Sequence, residues 1–267
     1  MKKLALSISG LLLFSYLGVC VYFYNIQNSI LFNPTLLEEG HQFSYSFNFE
    51  ERWFDIEEEV RIHSIHAKAD SSRGLVLFFH GNAGSTDTDS LKFLMFLEEG
   101  YDVLYPDYRE FGLSIGKLWT QDEMVGDMLS VYNEMADEYG EENIIVLGYS
   151  MGSGVAAQVA AANDPREVVI WTPYYSIVDE KNANYSFLPD FLVRFPLRTD
   201  LAIQEIEEPI TIFYAEEDER LPVERSIRLT QFLDENDEYI MLPNQGHNWV
   251  YRNELLQQKM KEILNRG

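Results

Sequence analysis

The residues Gly148-Tyr149-Ser150-Met151-Gly152 set a serine between two glycines at a spacing that suits a nucleophile. They follow the apolar run 144–147 and open the small-residue stretch MGSGVAAQVAAAN. A G-x-S-x-G pentapeptide alone is a weak signal, because both residue types are common. Its setting strengthens it. A serine at a sharp strand-to-helix turn has a strained backbone and needs small neighbours where the helix passes behind it. Gly148, Gly152 and Gly154 supply that space. The turn exposes the hydroxyl and aims a helix N-terminus, with its partial positive charge, at the reacting centre. The competing reading is a capping serine at a glycine-rich helix start, and the rest of the chain argues against it.

A nucleophilic serine needs a base, an acid to orient that base, and donors for the oxyanion. When the serine stands in such an elbow, the acid and then the histidine follow it in the chain. Only His247 lies downstream of Ser150, in the loop 244–248 after the run 239–242. The acid belongs after the preceding strand candidate, 210–214, where Glu216, Glu217, Asp218 and Glu219 compete. The spacing before Pro222 selects Asp218, and the three glutamates read as solvated turn charges. His80-Gly81-Asn82-Ala83-Gly84 follows the apolar run 75–79. A Gly-containing loop there can turn a backbone N–H toward the serine, which with the N–H after the nucleophile makes Asn82 and Met151 the candidate oxyanion donors. His80 is tempting as a base, but a histidine in that position more often holds the loop by hydrogen bonds.

These residues need a scaffold that brings several strand ends together. Strand candidates are 45–49, 61–67, 75–80, 103–106, 144–148, 168–171, 210–214 and 239–242. Helix candidates are 89–99, 121–139, 151–163, 224–233 and 254–265. Runs such as LVLFF and NIIVLG are apolar at successive positions, as central parallel strands covered on both faces must be. An early antiparallel pair followed by β-α repeats predicts an α/β sheet with helices on both sides. The stretch 174–209, rich in Phe, Leu and Pro, is long for a connection in a compact domain and reads as a lid or binding loop.

Residues 4–24 carry no charge over 21 positions, enough helix to span about 30 Å of bilayer hydrocarbon. Lys2 and Lys3 precede the run and no Lys or Arg follows until Arg52, which predicts a cytoplasmic N-terminus and an extracytoplasmic domain. A cleaved signal peptide would have a shorter apolar region and a small-x-small exit. A buried core helix would carry polar residues on one face. An uncleaved signal anchor is the reading that remains, with 25–34 as a short exit. The expected organisation is an anchor and exit over 1–31 and a single α/β domain over 32–267.

The 267 residues include 20 Lys and Arg against 44 Asp and Glu, a formal charge of −24. With no basic stripe, binding to nucleic acid is not expected. The acidic excess favours solubility and works against strongly anionic substrates and anionic lipid surfaces. The one cysteine, Cys20, lies in the apolar run, so neither an intramolecular disulfide nor a cysteine metal site can form.

Taken in order, HGNAG, YPDYREFGLSIG, GYSMGSG, EEDERLP and QGH resemble the BEM46-like branch of the α/β-hydrolase superfamily, which includes the α/β-hydrolase-domain-13-type proteins. The likeness runs from about Phe32 to the C-terminus, and NSILFNPT matches the family's usual exit from its N-terminal helix. It implies an α/β-hydrolase fold with a mostly parallel eight-stranded sheet and a short lid. It implies further a serine hydrolase with Ser150 as nucleophile, Asp218 as acid, His247 as base, and Asn82 and Met151 as oxyanion donors. One departure matters: Glu110 stands where the family's D-Y-R-G-[YF]-G motif has glycine, so the loop 107–116 is expected to differ in backbone shape.

The reaction expected is hydrolysis of an ester, thioester or amide through an acyl-enzyme, with no metal or organic cofactor. The aromatic stretch 174–195 favours a small-molecule ester or lipid-like substrate with an apolar acyl part. A peptidase and an acyltransferase use the same machinery and stay open. A non-catalytic membrane-anchored scaffold would have no physical need for Ser150, Asp218 and His247 together.

Overall fold

The computed structural model of the protein describes residues 2–266. It begins with a continuous helix, α1 (Lys2–Leu31), whose side chains are nearly all exposed; Cys20 alone among its described residues is buried. An exposed helix that is apolar all round cannot be a stable surface helix in water, and this one is long enough to cross a membrane. The residues expected to form an exit after Tyr24 are instead further helical turns, continuing to Leu31.

The α/β body is an eight-stranded sheet: β1 (Phe49–Glu57), β2 (Val60–Ala67), β3 (Gly74–Phe79), β4 (Tyr101–Pro106), β5 (Ile144–Tyr149), β6 (Glu167–Trp171), β7 (Ile210–Ala215) and β8 (Glu238–Leu242). Across the sheet the order is β8-β7-β6-β5-β3-β4-β2-β1. β2 pairs antiparallel with β1 and β4, and every other pairing is parallel. The expected first strand, 45–49, is displaced: the strand starts at Phe49, and 45–48 is irregular backbone. Its aromatic residues serve packing rather than pairing, since Tyr45 and Phe47 stack on each other at 5.1 Å and both lie edge-on to Phe93.

Successive residues of the central strands feed opposite faces, as a pleated strand requires. Leu75, Leu77 and Phe79 of β3 join Ile144 and Val146 of β5 in a core against α3 (Gln121–Tyr139) and α4 (Gly152–Ala160). Val76, Phe78, Ile145 and Leu147 point the other way, toward α2 (Leu91–Leu97) and α8 (Glu254–Leu264). α3 has the bounds expected from its pattern and is closed at its start by a capping box, Thr120 with Glu123. The connection from β6 to β7 holds α5 (Ile177–Asn184) and the short α6 (Thr199–Ala202). A four-residue helix, α7 (Val223–Ser226), follows the β7 loop and runs into a 3-10 turn, Ile227–Phe232, where one longer helix was expected.

The strand order reverses at β3, which has β4 on one side and β5 on the other. In open parallel sheets such a reversal leaves a crevice beyond the strands' carboxyl ends, where ligands bind. Phe79 pairs with Gly148 and Tyr149 with Trp171 in the ladder, so the β3 loop, the serine turn and the end of β6 emerge together.

Candidate active site

Ser150 sits between β5 and α4 with φ 53°, the left-handed region that costs a side chain roughly 1–2 kcal/mol. Two close approaches hold it there. A Cβ at Gly148 would lie 2.4 Å from the Gly152 carbonyl oxygen, and one at Gly152 would lie 2.2 Å from that of Phe79. Any larger residue at either position would push the helix off the strands and with it the serine. The Ser150 N–H donates to the Trp171 carbonyl at 2.9 Å, which ties the turn to β6.

Ser150 Oγ lies 2.9 Å from His247 Nε2, and His247 Nδ1 lies 2.7 Å from Asp218 Oδ2. Opposite a carboxylate, Nδ1 carries the imidazole proton and Nε2 is left to accept one from the serine hydroxyl. The histidine and the Asp218 side chain are almost fully buried. Asp218 is fixed in turn: its Oδ1 accepts from the Arg220 N–H at 3.0 Å and the Leu221 N–H at 2.7 Å. The structure thus brings together the three residues selected by chain order.

All three neighbouring glutamates are exposed, as expected, but two of them also accept backbone N–H groups of the histidine loop. Glu219 Oε2 accepts the backbone N–H of His247 at 3.0 Å, and that bond is the first cause holding its carboxyl below the ordinary range. Glu216 Oε2 accepts from the Asn244 N–H at 2.9 Å, while the Glu217 N–H donates to the Gln245 carbonyl. The acid loop therefore grips the histidine loop at three points besides the Asp218–His247 contact. Sequence carried no signal for this, because it depends on how two distant loops lie side by side.

Asn82 and Met151 flank Ser150, and both line a cavity that reaches Ser150 and His247. Among the described residues neither backbone N–H donates to a protein group, so both are available to a ligand oxygen. The Asn82 side chain donates to the carbonyl of Leu31, the last residue of α1, at 2.7 Å, and the Asn82 backbone carbonyl accepts from the Asn33 N–H. His80 is turned away: its Nδ1 is 2.7 Å from the Gly81 carbonyl and its Nε2 is 3.5 Å from Asp107. Glu110 takes φ 64°, so the backbone keeps the left-handed turn that glycine would make rather than adopting a new shape. Its carboxylate meets Lys117 at 2.8 Å and accepts from the Leu118 N–H.

Two cavities meet at Ser150. The first is mostly apolar, with Leu31, Phe32, Tyr174, Ile177 and Leu221 in its walls. The second is more polar and includes Thr88, Lys92, Tyr105, Trp171 and Asn248. Lys92 Nζ donates to Thr88 Oγ1 at 2.8 Å and to the Tyr105 hydroxyl at 3.2 Å. Burial pulls its ammonium down to about 8. Sequence reading overlooked it, as a lysine on a helix pattern is ordinarily a surface charge.

Residues 70–201 match the family model for serine aminopeptidase S33, a stretch that holds Ser150 and ends before Asp218 and His247. The chain is similar to the lysophosphatidylserine lipase ABHD12 of Macaca fascicularis, 25% identical over 230 residues covering 74% of this chain and 57% of that protein. It is 28% identical to the Danio rerio ABHD12 over 184 residues, 60% of this chain and 47% of that one. The chain thus spans roughly half the length of these curated relatives. Among solved structures, the Pyrococcus furiosus esterase Pf2001 superimposes with a TM-score of 0.72 at 22% identity, covering 88% of this chain and 97% of that one. Est1E from Butyrivibrio proteoclasticus follows at 0.65 and 17%, covering 80% and 97%. These likenesses support the superfamily expected from the motifs and do not single out its BEM46-like branch.

Proposed function

We propose that this chain, which belongs to the α/β-hydrolase superfamily, is a membrane-anchored serine hydrolase that cleaves carboxylic esters through an acyl-enzyme on Ser150. The observation that carries the reading is the unbroken relay from Ser150 Oγ through His247 to Asp218, opening onto two cavities. His247 Nε2 takes the hydroxyl proton as Oγ attacks the carbonyl carbon. Asp218 holds the imidazole in the tautomer that can accept it and offsets the charge of the imidazolium. The oxyanion is received by the backbone N–H groups of Asn82 and Met151. Collapse expels the alcohol, which leaves with the proton from His247. A water molecule, deprotonated by the same nitrogen, then releases the acid and restores the serine.

The relatives' names, lipase, esterase and aminopeptidase, share this acyl chemistry and differ in what leaves. The apolar cavity beside Ser150 favours an ester with a hydrocarbon acyl part over a peptide. The lipid named for ABHD12 is of that kind, and a lipid-like ester is the substrate class proposed here.

The test uses the full chain in detergent, with p-nitrophenyl esters and a fluorophosphonate probe. Ser150→Ala is expected to lose both turnover and labelling while keeping its circular dichroism spectrum. Near-native turnover in that variant overturns the reading. For the anchor we propose Lys2 and Lys3 on the cytoplasmic side and Ser150 outside. Protease added to intact spheroplasts should then digest the catalytic domain, and protection of the domain reverses the orientation.

A further inference from the structure

The membrane helix does not stop at the membrane. Its last two turns lie along the β6–β7 connection and are bonded to it. Gln27 Nε2 donates to the Leu192 carbonyl at 2.7 Å, and its Oε1 accepts from the Arg194 N–H at 2.8 Å. The Arg194 guanidinium donates to Asn28 Oδ1 at 2.6 Å, and Asn28 Nδ2 donates to the Leu118 carbonyl at 2.6 Å. Further up the helix, the Tyr16 hydroxyl donates to the Phe187 carbonyl at 2.8 Å. Tyr16 belongs to the uncharged span, eight residues before its end at Tyr24, or about 12 Å of helix. The connection therefore meets the helix within its uncharged span. Phe187 and Phe191, both exposed in that stretch, are the side chains that would face lipid there.

Between helix and connection runs a groove whose walls are almost wholly apolar, among them Phe23, Leu188 and Leu192. Its inner end shares Ile30, Leu31, Ile177 and Glu180 with the apolar cavity that reaches Ser150 and His247. The charged groups along it are paired, Glu180 with Arg225 at 3.0 Å and Lys181 with Asp190 at 2.5 Å. The groove along α1 and the cavity that reaches the nucleophile thus share a wall.

We infer that this groove is the acyl-chain site and that α1 is one of its walls, so that a long-chain ester is drawn from the bilayer along the anchor helix to Ser150. The inference deepens the hydrolase reading and rests on it. Three features point to an acyl chain as the occupant: the groove shares four wall residues with the serine's own cavity, its exposed wall surface is mostly apolar, and it lies against the uncharged span of α1. Because Asn82 is bonded to Leu31, the same helix also positions the loop that holds an oxyanion donor.

A long-chain alkyl fluorophosphonate with a terminal diazirine tests the path directly. With the full chain in lipid nanodiscs it should react at Ser150 and, on irradiation, attach to residues of 23–31 or 185–193. Reaction at Ser150 with adducts on the walls of the polar cavity, such as Trp249 or Lys92, overturns the inference and leaves the hydrolase reading standing. No reaction at Ser150 in folded protein overturns both. Independently, Leu192→Trp fills the groove away from the serine. It should lower the ratio of kcat/KM for dodecanoyl over acetyl p-nitrophenyl ester about tenfold, the size of a misfit in an apolar pocket. An unchanged ratio, in a variant that a short fluorophosphonate still labels, counts against the groove as the acyl site.

Discussion

Two histidine–aspartate pairs lie at the same end of the sheet, and only one of them reaches a serine. His247 with Asp218 and His80 with Asp107 are alike in burial, each ring being almost wholly covered. They differ in what the second ring nitrogen faces. His247 Nε2 reaches the hydroxyl of Ser150, at the meeting of two cavities. His80 Nδ1 is spent on the carbonyl of its own loop, and the ring is hemmed in by Tyr105, Tyr108 and Phe111. Burial would raise Asp107, but the facing His63 and His80 rings and the Thr86 hydroxyl outweigh it and keep the carboxyl below its usual range. Asp107 is thus a buried knot joining β2, the β3 loop and the β4 loop. On the reading proposed above, what sets the first pair apart is a third partner that a substrate can reach.

The sharpest way to break this contrast is to remove each acid as its amide. Asp218→Asn should cut turnover about 10⁴-fold with a small change in melting temperature, because the imidazole loses the tautomer that accepts the serine proton. Asp107→Asn should do the reverse: a loss of about 2 kcal/mol of stability, because an amide replaces a buried carboxylate that accepts from the Thr86 hydroxyl, and less than tenfold in turnover per folded molecule. Ester kinetics beside thermal unfolding distinguishes them. Equal kinetic loss in both would mean the Asp107 knot takes part in the reaction.

The same contrast shows what could be read in the sequence. Ser150, Asp218 and His247 were legible because the elbow imposes an order on the chain, and only one histidine lies downstream. His80 was legible as structural by its position after β3. The grips of Glu216 and Glu219 were not, since they depend on loop register between β7 and β8. Nor was the use of α1 as a wall of the site, because a uniformly apolar helix carries no pattern to say which face meets protein. Residues 45–48 misled as a strand for a related reason. Aromatic residues suit strands and aromatic stacks equally, and here they pack on Phe93 rather than pair.

A third histidine extends the comparison to solution pH. His66 is buried with Nε2 2.9 Å from the Tyr139 hydroxyl and 3.2 Å from Lys68 Nζ. Burial first, and then the Lys68 charge, lower it to about 4. Between pH 6.5 and 4 the unfolded chain binds a proton here that the folded chain refuses, so this residue's contribution falls as pH drops. By pH 5 the loss is about 2 kcal/mol. Buried carboxylates held high, such as Glu167 and Asp127, act in the opposite sense, so the measurement is a difference. The stability of His66→Gln relative to the native chain should rise by about that amount from pH 7.5 to pH 5. Parallel stability curves would show that the ring takes up its proton in the fold at the same pH as in the unfolded chain.

The smallest expected effect lies in the loop that carries Asp107. At Glu110 the backbone is left-handed, and the side chain is held by exposed Lys117 and by the Leu118 N–H. An ion pair to so exposed a lysine contributes little, less than the strain it accompanies. Glu110→Ala keeps the strain and loses both partners, whereas Glu110→Gly relieves the strain at some cost in unfolded-state entropy. The glycine variant should therefore be more stable than the alanine variant by about 1 kcal/mol, and close to the native chain. Both should turn over an acetyl ester within about twofold of the native rate, since surface changes of this kind leave the Ser150 relay untouched. Equal stability of the two variants would mean that the loop does not hold its left-handed turn in solution. A selective loss of turnover in either would join this loop to the reacting centre and erase the distinction between the two pairs.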